Sequence, residues 1–348
     1  MTTTSTPARV ARRLRPQWQL FLGIATGSLA GVLVGLALTT LAMPMGMDSA
    51  GTAVIIGLPL ARTTLDLAAL TTIGLAMLPW LVGANTSRRG RSVLAKARRF
   101  SAASAAVWII AALTSLVFET ADEYAGQSIS LGLIGRYVGQ ISSGQALLIV
   151  AGCALAYLVL AVSAVRKPDK VPVELRITVA AFALLPLPLT GHAGDAPGNW
   201  HDISMISMEL HVLGAVAWTG GLLATVLLAV RDRELLAVAL PNYSKVATIC
   251  VFLVAATGTL NGLLQLYLTP GVHWYLAVFT TGYGQIMLCK AGCLLIAALL
   301  GAHIRFKLLP AIARRARTAV LQWASVELTL MGLAFGLAAV LVRAPVIS

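Results

Sequence analysis

The sequence predicts an all-α membrane protein, a polytopic transmembrane helix bundle of about nine spans. Hydrophobic residues make up 58% of the 348-residue chain and charged residues only 11%, whereas an ordinary globular domain has roughly 45–50% apolar and about 25% charged residues. The apolar residues also fall into long runs, and a run of about 20 is enough to cross a bilayer as a helix. These two observations leave little room for a folded soluble domain.

The first apolar run, residues 18–43, is interpreted as a retained helix. It follows a basic leader, residues 1–17, and is longer than the roughly 7–15 apolar residues of a signal peptide core. Eight further runs are each long enough to span with some tilt: 62–84, 100–119, 140–165, 172–191, 204–230, 243–268, 282–304 and 319–342. We divide the chain into the leader, a four-helix N-terminal part (18–170) and a five-helix C-terminal part (171–348).

The charges between the runs predict the orientation of the bundle. The net charge is +13, and the basic residues gather in the leader and in alternate connecting segments: 88–99, 166–170, 231–245 and 305–317. By the positive-inside rule, the N-terminus is cytoplasmic and the C-terminus is external. Because this pattern accounts for the charge as a topology signal, we expect the lipid bilayer and no nucleic acid as a partner.

The densest group of metal-competent side chains lies near the outer ends of the fifth and sixth spans. Residues three and four apart share one face of a helix, and imidazole with thioether groups suits copper, methionine favouring Cu(I). The candidate ligands are His192, His201, Met205, Met208 and His211. For the methionines the alternative is simple packing. Glu209 lies among them, and a carboxylate inside a span usually marks a functional site.

A second candidate lies at the outer end of the first span. Met43, Met45 and Met47 place three thioethers at alternate positions, a spacing that can wrap a soft monovalent ion. A hydrophobic helix end that frays into a loop explains the same residues.

The eighth span carries a lysine that needs a partner. Lys290 lies about a third of the way through it, and Glu209 and Glu327 are the expected counter-charges. Asp66 is expected to pair locally with Arg62, one turn earlier. This span also carries three further soft ligands, Cys289, Cys293 and His303. One interpretation is a pathway for the ion across the bilayer; the alternative for the two cysteines is packing as small apolar side chains.

The common enzyme motifs are absent from the sequence. It contains no phosphate-binding glycine loop, nucleophile elbow, C-x-x-C pair or H-E-x-x-H zinc motif. We therefore expect no enzyme activity, and transport by this chain would draw on a gradient or on a partner.

An ordered series of motifs resembles the copper resistance protein D (CopD) family. It consists of the run His211–Leu222 with Trp218, Gly220 and Gly221, then Tyr243–Ala247 leading to Thr257-Gly258, then Tyr283–Gln285 with Lys290, and finally Pro310 followed by Glu327. The resemblance covers residues 205–342, and Thr190–Ala193 also fits, whereas the first four spans match only in being apolar.

The resemblance implies a multi-pass protein of the bacterial inner membrane with copper as its cargo, moved into the cytoplasm beside an external copper-binding partner. It points to His192, His211, Lys290 and Glu327. Our leading hypothesis is a copper permease. One alternative is a b-type haem electron carrier or oxidoreductase, because histidines inside a bundle can be axial ligands. Another is an assembly or sensing protein that binds copper without net transport.

Overall fold

The computed structural model describes residues 16–40, 51–83, 87–191, 194, 196–229, 233–303, 306 and 319–346. All regular secondary structure in these ranges is helical. Nine spans within them are long and apolar enough to cross a membrane. The predicted fold class and the predicted number of spans are therefore confirmed for this part of the chain.

Eleven α-helices occur in the described ranges, and three of them, α4, α6 and α9, are too short to span alone; α6 belongs to a span that continues to Thr190. In chain order they are α1 Pro16–Thr40, α2 Thr52–Val82, α3 Arg88–Glu123, α4 Leu131–Gln140, α5 Ser142–Arg166, α6 Val173–Phe182, α7 Asn199–Ala229, α8 Arg233–Leu268, α9 Trp274–Thr280, α10 Gly282–His303 and α11 Ala319–Leu341.

Several helices begin outside the apolar runs that predicted them. The second run begins at residue 62, but α2 begins at Thr52; the third begins at residue 100, but α3 begins at Arg88. The Ser87 side chain accepts a hydrogen bond from the Gly90 amide and caps α3, so the basic segment is helical. Hydropathy marks where lipid begins, whereas capping marks where a helix begins.

The fifth predicted span is a broken helix. The α-helix ends at Phe182, and a 3-10 turn covers Leu187–Thr190, because Pro186 and Pro188 cannot donate helical hydrogen bonds. The guanidinium of Arg62 on α2 donates to the Thr190 hydroxyl and to the Leu187 carbonyl, the latter at 3.4 Å. Irregular backbone is tolerated at membrane depth where such partners satisfy it.

α2 is the centre of the bundle. It is the most buried span, and it packs against α3 on one side and α7 on another. The other main pairs are α7 with α8, α3 with α5, α10 with α11, and α1 with α11. The sites described below therefore lie on helices that meet around α2.

Glycines allow the tightest of these contacts. A Cβ at Gly74 on α2 would overlap the Gly220 carbonyl on α7, and a Cβ at Gly220 would overlap the Leu70 carbonyl. Gly27 and Gly336 play the same part between α1 and α11. Small residues let membrane helices approach backbone to backbone, so Gly74 and Gly220 set the position of α7 against α2.

We name the two ends of the bundle by their predicted location. The basic end contains the connection from α2 to α3, beside Arg88, and the outer end contains the connection from α6 to α7, beside His201. At the outer end Arg343, after α11, pairs with Asp122 on α3. At the basic end the Asn242 side chain donates to the Leu81 carbonyl at 2.9 Å.

Candidate functional site

A buried polar ladder joins α7 to α8 in the outer half of the bundle. Asn261 on α8 accepts from the Ser204 hydroxyl at 3.1 Å, and its amide nitrogen donates to Ser207 at 2.8 Å and to the Thr257 carbonyl at 2.9 Å. One turn deeper, His211 Nδ1 lies 3.1 Å from the Thr257 hydroxyl. Polar side chains inside a membrane bundle mark a functional face, and His211 is the metal-competent member of this ladder.

The hydrogen bonds of the ladder determine which nitrogen of His211 holds the proton. The Thr257 hydroxyl has one proton and donates it to the Leu253 carbonyl at 2.6 Å. Its oxygen is therefore an acceptor toward the ring, and Nδ1 is the donor. The backbone of Val254 also hydrogen-bonds the ring, so two partners on α8 hold the imidazole in place, as outer partners orient a metal-binding histidine.

Two glycines of α8 open space beside this ring. A Cβ at Gly258 would lie 2.8 Å from Cε1 of His211, so the ring lies flat against the helix. One turn later the thioether sulfur of Met287, on α10, packs directly against Gly262. Since residues one turn apart are about 6 Å from each other on a helix, the imidazole and the thioether are neighbours along one face of α8.

Lys290 lies near the same group. Among the described residues it forms no ion pair within 4.0 Å, either with Glu209 or Glu327, the expected partners, or with another carboxylate. The charge of Asp66, on α2, acts on Lys290 at longer range, and the charge of Lys290 acts on His211.

Asp66 therefore has two cationic neighbours. Its Oδ1 lies 4.0 Å from Nε of Arg62, as the i, i+4 spacing predicted. Its interaction with Lys290 crosses from α2 to α10. One carboxylate thus compensates a local and a distant positive charge.

Replacing Asp66 with asparagine should destabilise the protein, because it leaves Lys290 without its carboxylate. We expect Lys290→Met to restore part of the lost stability in the double variant, with a coupling of about 1 kcal/mol or more. Thermal unfolding in detergent measures it. Lys245→Met, which removes an exposed lysine of α8, is the matched control; equal rescue by both methionines would contradict the pairing.

Glu327 belongs to a second polar group nearer the basic end. The Trp218 side chain hydrogen-bonds to the Glu327 carboxylate, and the Tyr243 hydroxyl donates to the Trp218 carbonyl at 3.1 Å. The carboxylate also faces α10, because a Cβ at Gly301 would lie 3.4 Å from Oε1 of Glu327. His211 and Trp218 are seven residues apart on α7, or about 10 Å along its axis.

A buried carboxylate at the outer end was missed by the sequence reasoning. Glu119 on α3 is only 3% exposed; it accepts a hydrogen bond from the Tyr137 hydroxyl at 3.0 Å and lies 3.9 Å from Nη2 of Arg343. Burial, and next the charge of Glu119, raise the pKa of Tyr137 above its ordinary value, so the phenol remains a donor. This group holds α3, α4 and the segment after α11 together.

The other predicted site residues are placed as follows. His201, Met205, Met208 and Glu209 are half-buried on α7. Cys289 is exposed and Cys293 buried, although the two thiols remain close enough to interact. The ring of His303 packs on Trp323 with centroids 4.9 Å apart. Outside the described residues lie His192, Met43, Met45 and Met47.

Within the described ranges, no group of three or more His, Cys, Asp and Glu side chains is arranged to hold a metal ion. The ladder therefore offers at most one histidine nitrogen and one neighbouring thioether, a pair suited to a soft ion that binds and leaves.

Asn261 and Met287 were also missed by the sequence reasoning, and Thr257 entered it only as part of the family motif. An asparagine in an apolar run is a usable signal, because its amide needs partners inside a membrane. Met287 carries no such signal, since methionine is common in helix packing.

Two family models match the chain. The model described as Copper resistance protein D-like, N-terminal domain matches residues 47–202, and the model described as Copper resistance protein D matches residues 237–341. Inner membrane protein YebZ of Escherichia coli (strain K12) is 32% identical over 158 residues, 44% of this chain and 51% of that relative. The match thus spans about half the length of this curated relative. No solved structure matches significantly.

These matches confirm the resemblance found in the sequence and extend it. The expectation that the first four spans resemble the family only in being apolar was wrong, because the N-terminal model covers most of them. The buried Arg62 and Glu119 lie in that part, so its match includes residues that hold the outer end together.

Proposed function

The chain belongs to the copper resistance protein D (CopD) family, and from that premise we propose that it carries copper, as Cu(I), across the inner membrane into the cytoplasm. The observation that supports this most directly is the His211–Thr257 hydrogen bond, which orients a half-buried imidazole between α7 and α8. We assign His211 as the central copper ligand of the transport path.

Copper would reach His211 from the outer end. His201, Met205 and Met208 on α7, together with His192 and the methionines at 43, 45 and 47, supply soft ligands on the approach. An external copper-binding protein would deliver the ion there. Transfer between ligands of similar softness moves an ion without a deep energy minimum.

Met287 is the ligand that we add to this path. Its sulfur lies one turn from the His211 ring on the same face of α8, and a thioether favours the monovalent ion. Two ligands hold copper weakly enough for release. In this proposal Lys290 and Asp66 balance the charge beside the ion, and Glu327 serves the later part of the path, with Cys293 and His303 as further candidates.

The direction of transport is tested by cell-associated copper, measured by elemental analysis at limiting external copper. Cells that express the chain should contain more copper than cells with an empty vector. Less copper would show export and overturn the proposed direction. Equal copper, together with a Soret band in the purified protein, would favour the haem alternative.

Thr257→Val should weaken copper handling without removing the ligand. Valine has nearly the same shape but cannot accept the Nδ1 proton, so the ring loses its orientation, and such outer partners contribute about 10- to 100-fold in metal affinity. The measurement is the copper concentration that gives half-maximal accumulation. Thr64→Val is the control, because that exposed hydroxyl bonds only the Leu60 carbonyl of its own helix; an equal shift in both would refute the assigned role.

A further inference from the structure

The first half of the bundle holds a buried cation that the copper path does not use. Arg176, on α6, is only 3% exposed, and its Nε has no hydrogen-bond partner. Among the described residues it forms no ion pair within 4.0 Å. Buried polar groups are nearly always partnered, and a buried charge without a partner is costly. A guanidinium in this state indicates a ligand that satisfies it.

A second arginine lies within electrostatic range of Arg176. It is Arg98, on α3, and the two positive charges repel each other. The carboxylates nearest to them are Asp169 for Arg98 and Glu174 for Arg176. Both of these carboxylates are exposed, so water solvates them and they do not enter the buried space. Two positively charged side chains therefore lie near each other without a buried carboxylate beside them.

The other polar groups of this position are already engaged. The Tyr157 hydroxyl, which is near Arg176, lies 2.5 Å from the Ser101 hydroxyl. Ser101 also donates to the Thr72 carbonyl at 3.3 Å. A water molecule would accept hydrogen bonds from the guanidinium groups but would not neutralise them. An anion with several acceptor oxygens would accept the hydrogen bonds and also neutralise the charge.

The surroundings favour a lipid as the source of that anion. Arg98 lies near the end of the basic stretch at the basic end of the bundle, where lipid headgroups are expected. Large apolar side chains next to both arginines face outward: Phe100 is 57% exposed and Leu175 is 44% exposed. Acyl chains can lie against these side chains while the phosphate lies between the guanidinium groups, whose planar forks match phosphate oxygens.

We propose that Arg98 on α3 and Arg176 on α6 form a binding site for the phosphate of an anionic phospholipid, at the basic end of the bundle. Basic pockets between membrane helices bind such headgroups. The bound lipid neutralises the two arginines and stabilises the region from α2 to α6. This proposal is independent of copper transport.

The test uses the full chain in nanodiscs of phosphatidylcholine, with or without phosphatidylglycerol, and reads the thermal unfolding midpoint and the lipids retained in native mass spectrometry. Phosphatidylglycerol should raise the midpoint of the wild type. Arg176→Gln and Arg98→Gln should each weaken its retention about tenfold or more and abolish the rise. Arg98→Gln keeps the test valid if Arg176→Gln fails to fold, because Arg98 is only half-buried.

Arg99→Gln is the matched control, since it removes the same charge from an exposed neighbour of Arg98. It should retain the lipid effect; an equal loss would show general attraction to an anionic surface and overturn the site. Inorganic phosphate added to phosphatidylcholine nanodiscs distinguishes a site for free phosphate from a site for a lipid headgroup. An Arg176-dependent rise with phosphate alone, and none with phosphatidylglycerol, would overturn the lipid assignment.

Discussion

Replacing His211 with alanine is expected to abolish the copper accumulation that this chain confers on cells. The proposed path has one histidine in the middle of the bundle, and the Thr257 hydrogen bond orients its ring. Without His211, the ladder between α7 and α8 has no imidazole to bind a copper ion that arrives from the outer end. Cell-associated copper at limiting external copper should fall to the level of the empty vector.

Two further variants separate ligand loss from misfolding. His211→Gln retains an amide that can donate to Thr257 but has no imidazole nitrogen, so it should fold and still fail to accumulate copper. His273→Ala removes an exposed histidine at the start of α9, which contacts only neighbouring aromatic rings, and should behave as wild type. Full accumulation by folded His211→Gln would exclude His211 as a ligand.

Replacing Gly220 with alanine is expected to cause the largest loss of stability. The added Cβ would overlap the backbone carbonyl of Leu70 on α2, and the backbone cannot move aside as a flexible side chain can. Overpacking a core costs typically about 1–3 kcal/mol, and more where a rigid group is met. We expect at least the upper end of that range, measured as the drop in the thermal unfolding midpoint in detergent.

Gly292→Ala provides the comparison for this effect. A Cβ at Gly292, on α10, would have no heavy atom within 4 Å, and alanine favours a helix over glycine by about 1 kcal/mol. That variant should be as stable as the wild type or more so. If both substitutions changed the midpoint equally, the backbone contact between α2 and α7 would not be the cause.

The two predictions are linked through the position of α7. Gly74 and Gly220 hold α7 against α2, and α7 presents His211 to α8. The same approach brings Asp66 into the range of Lys290. A variant that separates α2 from α7 is therefore expected to lose stability and copper accumulation together, whereas His211→Gln should lose only the second.

The sequence by itself determined the helical class, the nine spans and the family. Each depends on local information: an apolar run is a property of consecutive residues, and the Arg62–Asp66 pair follows from i, i+4 spacing. It located His211 through its motif. It did not locate the true ends of α2 and α3 or the break after Phe182, because caps and prolines rather than hydropathy determine those positions.

Only the tertiary structure decided which groups meet. It brings Lys290 to Asp66, His211 to Thr257, and Met287 to the next turn of α8. Nothing in the order of the residues specifies these neighbours, because in an apolar bundle many helices present similar surfaces. The rotation and order of the helices are set by where glycines permit close approach and where buried polar groups find partners, and both depend on contacts between residues far apart in the chain.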